Sequence, residues 1–304
     1  MDKFEKILND IRKIKIQGAE NIAKNAIKAL EYRGLKIKTH SVTQFFSEIE
    51  KAKNLLFSAR PTEPLMRNSI LYVIDSLKTD SRSVLDLKKS LSIYCSEVLE
   101  HFETAQQKIA EIGSKKIENG MIIFTHCHSS TVMRILKEAK KQGKEFEVYN
   151  TETRPLYQGR TTATELAKMK IPVTHFIDSA AKIALKKSDI FLMGFDAITT
   201  TKIYNKIGSE LFAIIADKYD IPVYACGDAW KFDPSAIVGY EEKIEIRSGK
   251  EIWPNHPKGV KIENWAFEKI DPRLITAIIS ELGVYTHENF IEELKKNYPW
   301  LYEE

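Results

Sequence analysis

Up to about residue 115, apolar positions recur at the three-to-four-residue spacing of amphipathic helices. Phe4, Ile7, Leu8, Ile11 and Ile14 form one such stripe. Beyond Gln17-Gly18, Ile22, Ala23, Ala26, Ile27 and Leu30 form the next. A third helix is expected over 41–56, stopping before Arg60-Pro61-Thr62-Glu63-Pro64, where two prolines force an extended or turning loop. Two more are expected over 65–77 and 83–116. The longer one carries Leu85, Leu87, Leu91, Tyr94, Val98, Phe102 and Ile109 as its buried stripe.

The pattern changes at Asn119-Gly120. Short apolar runs with β character follow: Met121-Ile122-Ile123-Phe124, Phe146-Glu147-Val148-Tyr149, Val173-Thr174-His175-Phe176-Ile177, Ile190-Phe191-Leu192-Met193 and Val223-Tyr224-Ala225-Cys226. Helical segments at 130–142, 161–169, 179–186 and 204–219 lie between them, and two more helices are expected at 274–282 and 289–297. Strand and helix in alternation predict a parallel sheet covered on both faces. Right-handed crossovers then gather the C-terminal strand ends on one edge, where ligands of such sheets bind. The predicted fold is α/β: an N-terminal helical domain, 1–117, followed by a Rossmann-like parallel-sheet domain, 118–304. No strand leads into GxGxxG and no Walker A motif occurs, so neither a dinucleotide nor an ATP cradle is signalled.

Composition removes several classes of function. With 43% hydrophobic and 29% charged residues, 13 Gly and 10 Pro, the chain is neither disordered nor collagen-like. The net charge of +4 is a thin excess of 46 basic over 42 acidic side chains. It favours a small polyanion, whereas nucleic acid calls for a basic stripe with interleaved aromatics. The lysines of 137–144 alternate with Glu at helical spacing and read as a solvated face. Three scattered cysteines, Cys95, Cys127 and Cys226, fit a reducing compartment. The first residues lack a signal-peptide apolar core, and no apolar run approaches ~18 residues. A soluble, cytoplasmic protein is expected, with no membrane or nucleic-acid partner.

The polar residues that could carry chemistry follow the strands. Thr125-His126-Cys127-His128-Ser129-Ser130-Thr131 places a thiol before a helix, where the dipole and free amides favour thiolate; the plainer reading is a small buried hydrophobe. Contiguous His126, Cys127 and His128 cannot all face one ion, so no metal is expected. Arg154, ahead of Pro155, is either an anion clamp or a surface ion pair, and Gln158-Gly159-Arg160 opens the next helix. Asp196, after Gly194-Phe195, either caps the following turn or is catalytic. Asn205-Lys206-Ile207-Gly208 suits sugar hydroxyls and phosphate at a helix start, and Lys231 adds an ammonium. A thiol, a carboxylate and several cations at one edge call for a small anionic substrate and proton transfer.

Several of these segments form a recognisable set. Thr153-Arg154-Pro155-Leu156-Tyr157-Gln158-Gly159, Asp178-Ser179-Ala180-Ala181, Gly194-Phe195-Asp196-Ala197-Ile198 and Asn205-Lys206-Ile207-Gly208 resemble blocks of one superfamily. It unites ribose-1,5-bisphosphate isomerases, methylthioribose-1-phosphate isomerases and the regulatory subunits of eukaryotic translation initiation factor 2B. Gln17-Gly18-Ala19, Ala59-Arg60-Pro61-Thr62 and Trp230-Lys231-Phe232-Asp233-Pro234 resemble three further blocks. The resemblance spans nearly the whole chain and is nearest to the ribose-1,5-bisphosphate isomerases. It implies Cys127 and Asp196 as the catalytic pair, Asp196 protonated and Cys127 as thiolate. It implies Gln17, Gly18, Ala19, Arg60, Arg154, Gln158, Asn205, Lys206 and Lys231 as substrate-binding residues, no cofactor, and a dimer or hexamer of like chains. Two positions depart from the pattern: Gln17 stands where the isomerases carry arginine, and Phe195 where they carry alanine. A regulatory subunit without catalysis and a methylthioribose-phosphate isomerase are the alternative branches.

Overall fold

The structure is a computed structural model and describes residues 2–79, 83–234 and 244–302. Contacts divide them into two compact units. The first comprises 1–104 with 230–232 and 300–304; the second comprises 105–229 and 233–299.

The first unit is built from α1 (Lys3–Arg12), α2 (Ala19–Lys36), α3 (Val42–Ala59), α4 (Pro64–Thr79) and the first part of α5 (Val84–Ser114). Asp2 and Glu5 form a capping box at the start of α1, and the Ser41 hydroxyl caps α3. Most of the expected apolar stripes are buried, with Leu8, Ile11, Ile22, Ile27, Leu30, Leu91 and Phe102 all inside, but Leu85 is 66% exposed, because in the first turn of α5 Val84 and Leu87 face inward instead. Asn68 on α4 donates to the carbonyls of Trp230 and Phe232, both at 2.7 Å, and so anchors the 230–232 segment in this unit.

The second unit holds the sheet. Its elements are β1 (Ile122–Thr125), α6 (Ser130–Lys141), β2 (Glu147–Thr151), α7 (Gln158–Lys168), β3 (Val173–Phe176), α8 (Ala181–Leu185), β4 (Ile190–Gly194), β5 (Ala197–Ile198), β6 (Ile203–Lys206), α9 (Ser209–Lys218), β7 (Val223–Cys226), β8 (Phe267–Ile270), β9 (Ala277–Ser280), β10 (Gly283–Tyr285) and α10 (His287–Asn297). Seven strands form one sheet in the order β10-β9-β7-β4-β1-β2-β3, parallel except for β10 on β9. The five expected strand runs therefore pair as a mostly parallel sheet, with β4 buried along its whole length. Val132, Ile135, Leu136, Ile123, Val148 and Leu166 sit in the core against it.

Three of the expected helices differ from the observed elements, each for a local reason. The helix expected from residue 204 starts only at Ser209. Ile203–Lys206 is a strand between β5 and β8 in a separate antiparallel sheet, and Gly208 at φ 101° turns the chain into α9. The helix expected at 274–282 is instead β9 and β10. The β-branched run Ile275-Thr276-Ala277-Ile278-Ile279 completes the sheet beside β7, and Gly283 at φ 138° reverses it. The helix expected at 179–186 is one 3₁₀ turn followed by one α turn.

Gly159 locks the β2–α7 connection. A Cβ there would lie 1.7 Å from the Thr151 carbonyl oxygen, a backbone atom with no freedom to retreat. The Asn150 amide also donates to the Gly159 carbonyl at 2.7 Å. Gly143, at φ 82°, has nothing within 4 Å of its Cβ position. Gly143→Ala is expected to cost about 1 kcal/mol through backbone strain alone. Gly159→Ala is expected to lower the melting temperature much further or to prevent soluble folding; equal melting temperatures for the two variants would refute the close approach.

Candidate functional site

The strand order reverses between β1 and β4, because the chain winds outward from β1 through β2 and β3, then returns to β4 and winds the other way. In open α/β sheets the loops at such a reversal are where ligands bind. Cys127 follows β1 and Asp196 follows β4. The two loops are close: a Cβ on Gly194 would meet the Ser129 hydroxyl at 2.6 Å.

Cys127 is partly buried and left-handed, with φ 66°. Its N–H donates to the Thr153 hydroxyl at 3.0 Å, and its carbonyl accepts from the Thr162 hydroxyl at 2.9 Å. Burial pushes its thiol up to about 11; the Lys206 charge and the His128 amide pull it down, while the Asp196 and Asp178 carboxylates add to the rise. Desolvation, the largest of these influences, runs against the lowered thiol that a position before a helix suggests. Cys127 also lies ahead of the α6 cap, Ser129, whose hydroxyl takes the Val132 amide.

His126 is buried beside it. Its Nε2 lies 2.9 Å from the Ile207 carbonyl, which can only accept, so Nε2 carries the proton. Nδ1 therefore accepts from the Thr151 hydroxyl at 2.7 Å. Burial pushes the imidazole down to about 4, so it is neutral at ordinary pH. Asp178 organises the neighbouring loop, its carboxylate accepting from the Thr153 amide at 2.8 Å and the Arg154 amide at 2.7 Å.

The remaining expected residues divide between the units. Lys206 is buried on β6, its ammonium 5.0 Å from the Phe267 ring centroid, and no ion pair is seen for it among the described residues. Asn205, beside it, donates to the Ser209 hydroxyl at 3.0 Å. Neither stands at a helix start as expected, because β6 intervenes. Arg154 is exposed; its guanidinium bonds the Tyr157 hydroxyl and, at 3.3 Å, the Ile252 carbonyl. Gln158 opens α7, and its Oε1 is buried with no hydrogen-bond partner among the described residues. Asp196 caps no helix; β5 follows it directly, and its amide donates to the Tyr204 carbonyl at 2.8 Å. Phe195 is fully buried with its ring over Gly227, where a Cβ would come within 2.6 Å.

In the first unit, Gly18 at φ 82° caps α2, Ala19 begins it, and the exposed Gln17 amide donates to the Ile14 carbonyl at 3.1 Å. Arg60 pairs with the buried Glu63 at 3.3 Å, and Lys231 is buried in the 230–232 segment. His126, Thr151, Thr153, Thr162 and Asp178 were not singled out as site residues. Asp178 and Thr153 lie within the quoted blocks, which is the only signal the chain offered for them.

A mostly parallel sheet with a thiol and a carboxylate after the two strands at its reversal point defines a Rossmann-like domain of the kind shared by initiation-factor subunits and sugar-phosphate isomerases. The chain matches the Initiation factor 2 subunit family over residues 15–287 and belongs to that family. It is 35% identical over 303 residues to the ribose 1,5-bisphosphate isomerase of Thermococcus kodakarensis, covering 97% of this chain and 94% of that one. It is 31% identical over 314 residues to the 5-deoxyribose 1-phosphate isomerase of Petrotoga mobilis, covering 97% and 90%. Among solved structures, the Pyrococcus horikoshii OT3 translation initiation factor eIF-2B superposes with a TM-score of 0.81 at 25% identity, covering 94% of this chain and 98% of that one. Within the family the chain stands with the isomerases. Among the described residues no helix is long and apolar enough to cross a membrane.

The neutral His126 has a measurable consequence. Its folded value of about 4 lies below the unfolded 6.5, so its contribution is fully present above pH 6.5 and is lost as pH falls through 4. The size is roughly 3 kcal/mol. His126→Asn is expected to flatten the fall in unfolding free energy between pH 6.5 and 4, measured by urea denaturation at each pH. An unchanged slope would place the titration elsewhere.

Proposed function

We propose that this chain converts α-D-ribose 1,5-bisphosphate to ribulose 1,5-bisphosphate, with Cys127 and Asp196 as its acid-base pair. The observation that carries this reading is the reversal of strand order between β1 and β4, with Cys127 following the one strand and Asp196 the other, and with the buried Lys206 charge acting on Cys127. The relatives named ribose 1,5-bisphosphate isomerase support the choice of substrate.

In the proposed sequence, Asp196 gives its proton to the ring oxygen O4 as the C1–O4 bond breaks. The Cys127 thiolate takes the C2 proton, leaving an enediol 1-phosphate. The thiol then returns that proton to C1, and the C2 hydroxyl proton restores Asp196 as the ketone forms. The two groups finish as they began, and no step requires a metal or cofactor. Lys206 offsets negative charge near the thiolate and a phosphate. The partnerless Gln158 Oε1 suits a substrate hydroxyl. Gln17, Gly18, Ala19, Arg60, Arg154, Asn205 and Lys231 are assigned to phosphate and sugar contacts, with Lys231 on the second phosphate. We place the reaction in the cytoplasm and in a homo-oligomer, dimer or hexamer.

A second reading is a substrate with one phosphate, favoured by the Petrotoga relative. Lys231→Met separates the two: it should raise KM for ribose 1,5-bisphosphate strongly and leave a monophosphate substrate unaffected.

The direct test is ribulose 1,5-bisphosphate formation by the purified protein. Cys127→Ser and Asp196→Asn are each expected to lower kcat by about 10²-fold or more with the melting temperature retained. A base held up at about 11 is mostly protonated at neutral pH. The kcat/KM should therefore climb about tenfold per pH unit over the alkaline range. A flat profile would remove Cys127 as the base. Ligand binding without turnover would support a regulatory subunit instead.

A further inference from the structure

We infer that Thr153 and Thr162 are positioning residues that grip the Cys127 peptide from both sides and hold its side chain in the left-handed conformation proton transfer needs. The inference deepens the isomerase reading and rests on it for the identity of the reacting group.

The hydrogen-bond directions at the Cys127 peptide are fixed by elimination. The Cys127 carbonyl can only accept, so the Thr162 hydroxyl donates to it at 2.9 Å. Thr162 Oγ1 therefore has no proton left for His128, and takes the Nδ1–H of that ring at 3.0 Å. On the other side the Cys127 N–H donates to Thr153 Oγ1 at 3.0 Å. The Thr153 hydroxyl has two acceptors within reach for its own proton, His126 Nδ1 at 3.3 Å and the Thr151 carbonyl at 3.4 Å. Thr153 is itself left-handed, at φ 62°, with its amide bound to Asp178. Two residues in a conformation that side chains disfavour are thus bonded to one another, and both threonines are buried.

Such backbone persists only where its surroundings over-determine it, and it clusters where a side chain must be aimed. A Cys127 relaxed out of its left-handed backbone would carry its thiol to a different place. Serine at either threonine would keep the hydroxyl; valine would keep the shape and lose both bonds.

The test uses the full chain with Thr153→Val, Thr162→Val and the corresponding serine variants. Two quantities are measured: kcat and KM on ribose 1,5-bisphosphate, and the pH profile of Cys127 alkylation by iodoacetamide, read by mass spectrometry. Buried Cys95 and Cys226 serve as internal references. In the valine variants kcat should fall about tenfold or more with KM within about twofold. The midpoint of alkylation should move down towards that of an ordinary cysteine, and serine should restore both. Valine variants with wild-type kcat and alkylation profile would overturn the inference, as would serine variants as impaired as the valine ones. The alkylation profile does not depend on the substrate. If the wild type turns over nothing, the isomerase reading fails, while a shifted or unshifted midpoint still decides the positioning role. Should a valine variant lose cooperative melting, alanine at that position takes its place under the same criteria.

Discussion

Strand β1 sits between β2 and β4, with the chain winding away from it on both sides, and the chemistry depends on that placement. In a parallel sheet every strand end on one edge points the same way, but only at the reversal do two successive loops part instead of crossing. Cys127 and Asp196 are 69 residues apart in sequence and follow these two strands. The main chain does this positioning; the side chains need only be present at the right strand ends. Gly194 narrows the approach, since any larger residue would push into Ser129 and spread the loops.

The cost of the arrangement is concentrated in the same few residues. A left-handed Cys127, a left-handed Thr153 and an imidazole kept neutral by burial each oppose stability by themselves. They are held by Asp178, whose carboxylate joins the amides of Thr153 and Arg154, and by the threonine hydroxyls that satisfy His126 and the Cys127 peptide. Every buried polar group in this chain of contacts has a stated partner, which is the condition under which a buried network rigidifies a fold.

Much of this was legible in the sequence, for reasons that differ by element. The five parallel strands announce themselves as short apolar runs because both faces of such a sheet are buried, and α1 to α5 because one stripe of each is. The residues of β9 and β10 read as helix because an apolar run of that length fits either state; only pairing with β7 decides it. β6 was hidden by the helix following so closely, with Gly208 the only mark of the boundary. Cys127 and Asp196 were visible as polar residues ending apolar strands. The threonines were not, because Thr is equally at home in a strand, a cap or a core, and nothing in its spacing says which hydroxyl faces which peptide.

The thiol itself departs most from what its position suggests. A cysteine just ahead of a helix is expected to ionise easily, and here enclosure pushes the thiol up to about 11. Asp178 reinforces that direction, as does Asp196 when ionised, while Lys206 and the His128 amide oppose it. A thiol held this high is a weak nucleophile towards adventitious oxidants, because the thiolate is the reactive form. Once formed, however, that thiolate is a strong base, suited to a carbon-bound proton that a readily ionised cysteine would not remove. The enclosure that suppresses unwanted chemistry at Cys127 is thus the same property that fits it to the proposed step. In the proposed step, Lys206, buried against Phe267 and acting on the thiol through its charge, stabilises the thiolate as it forms.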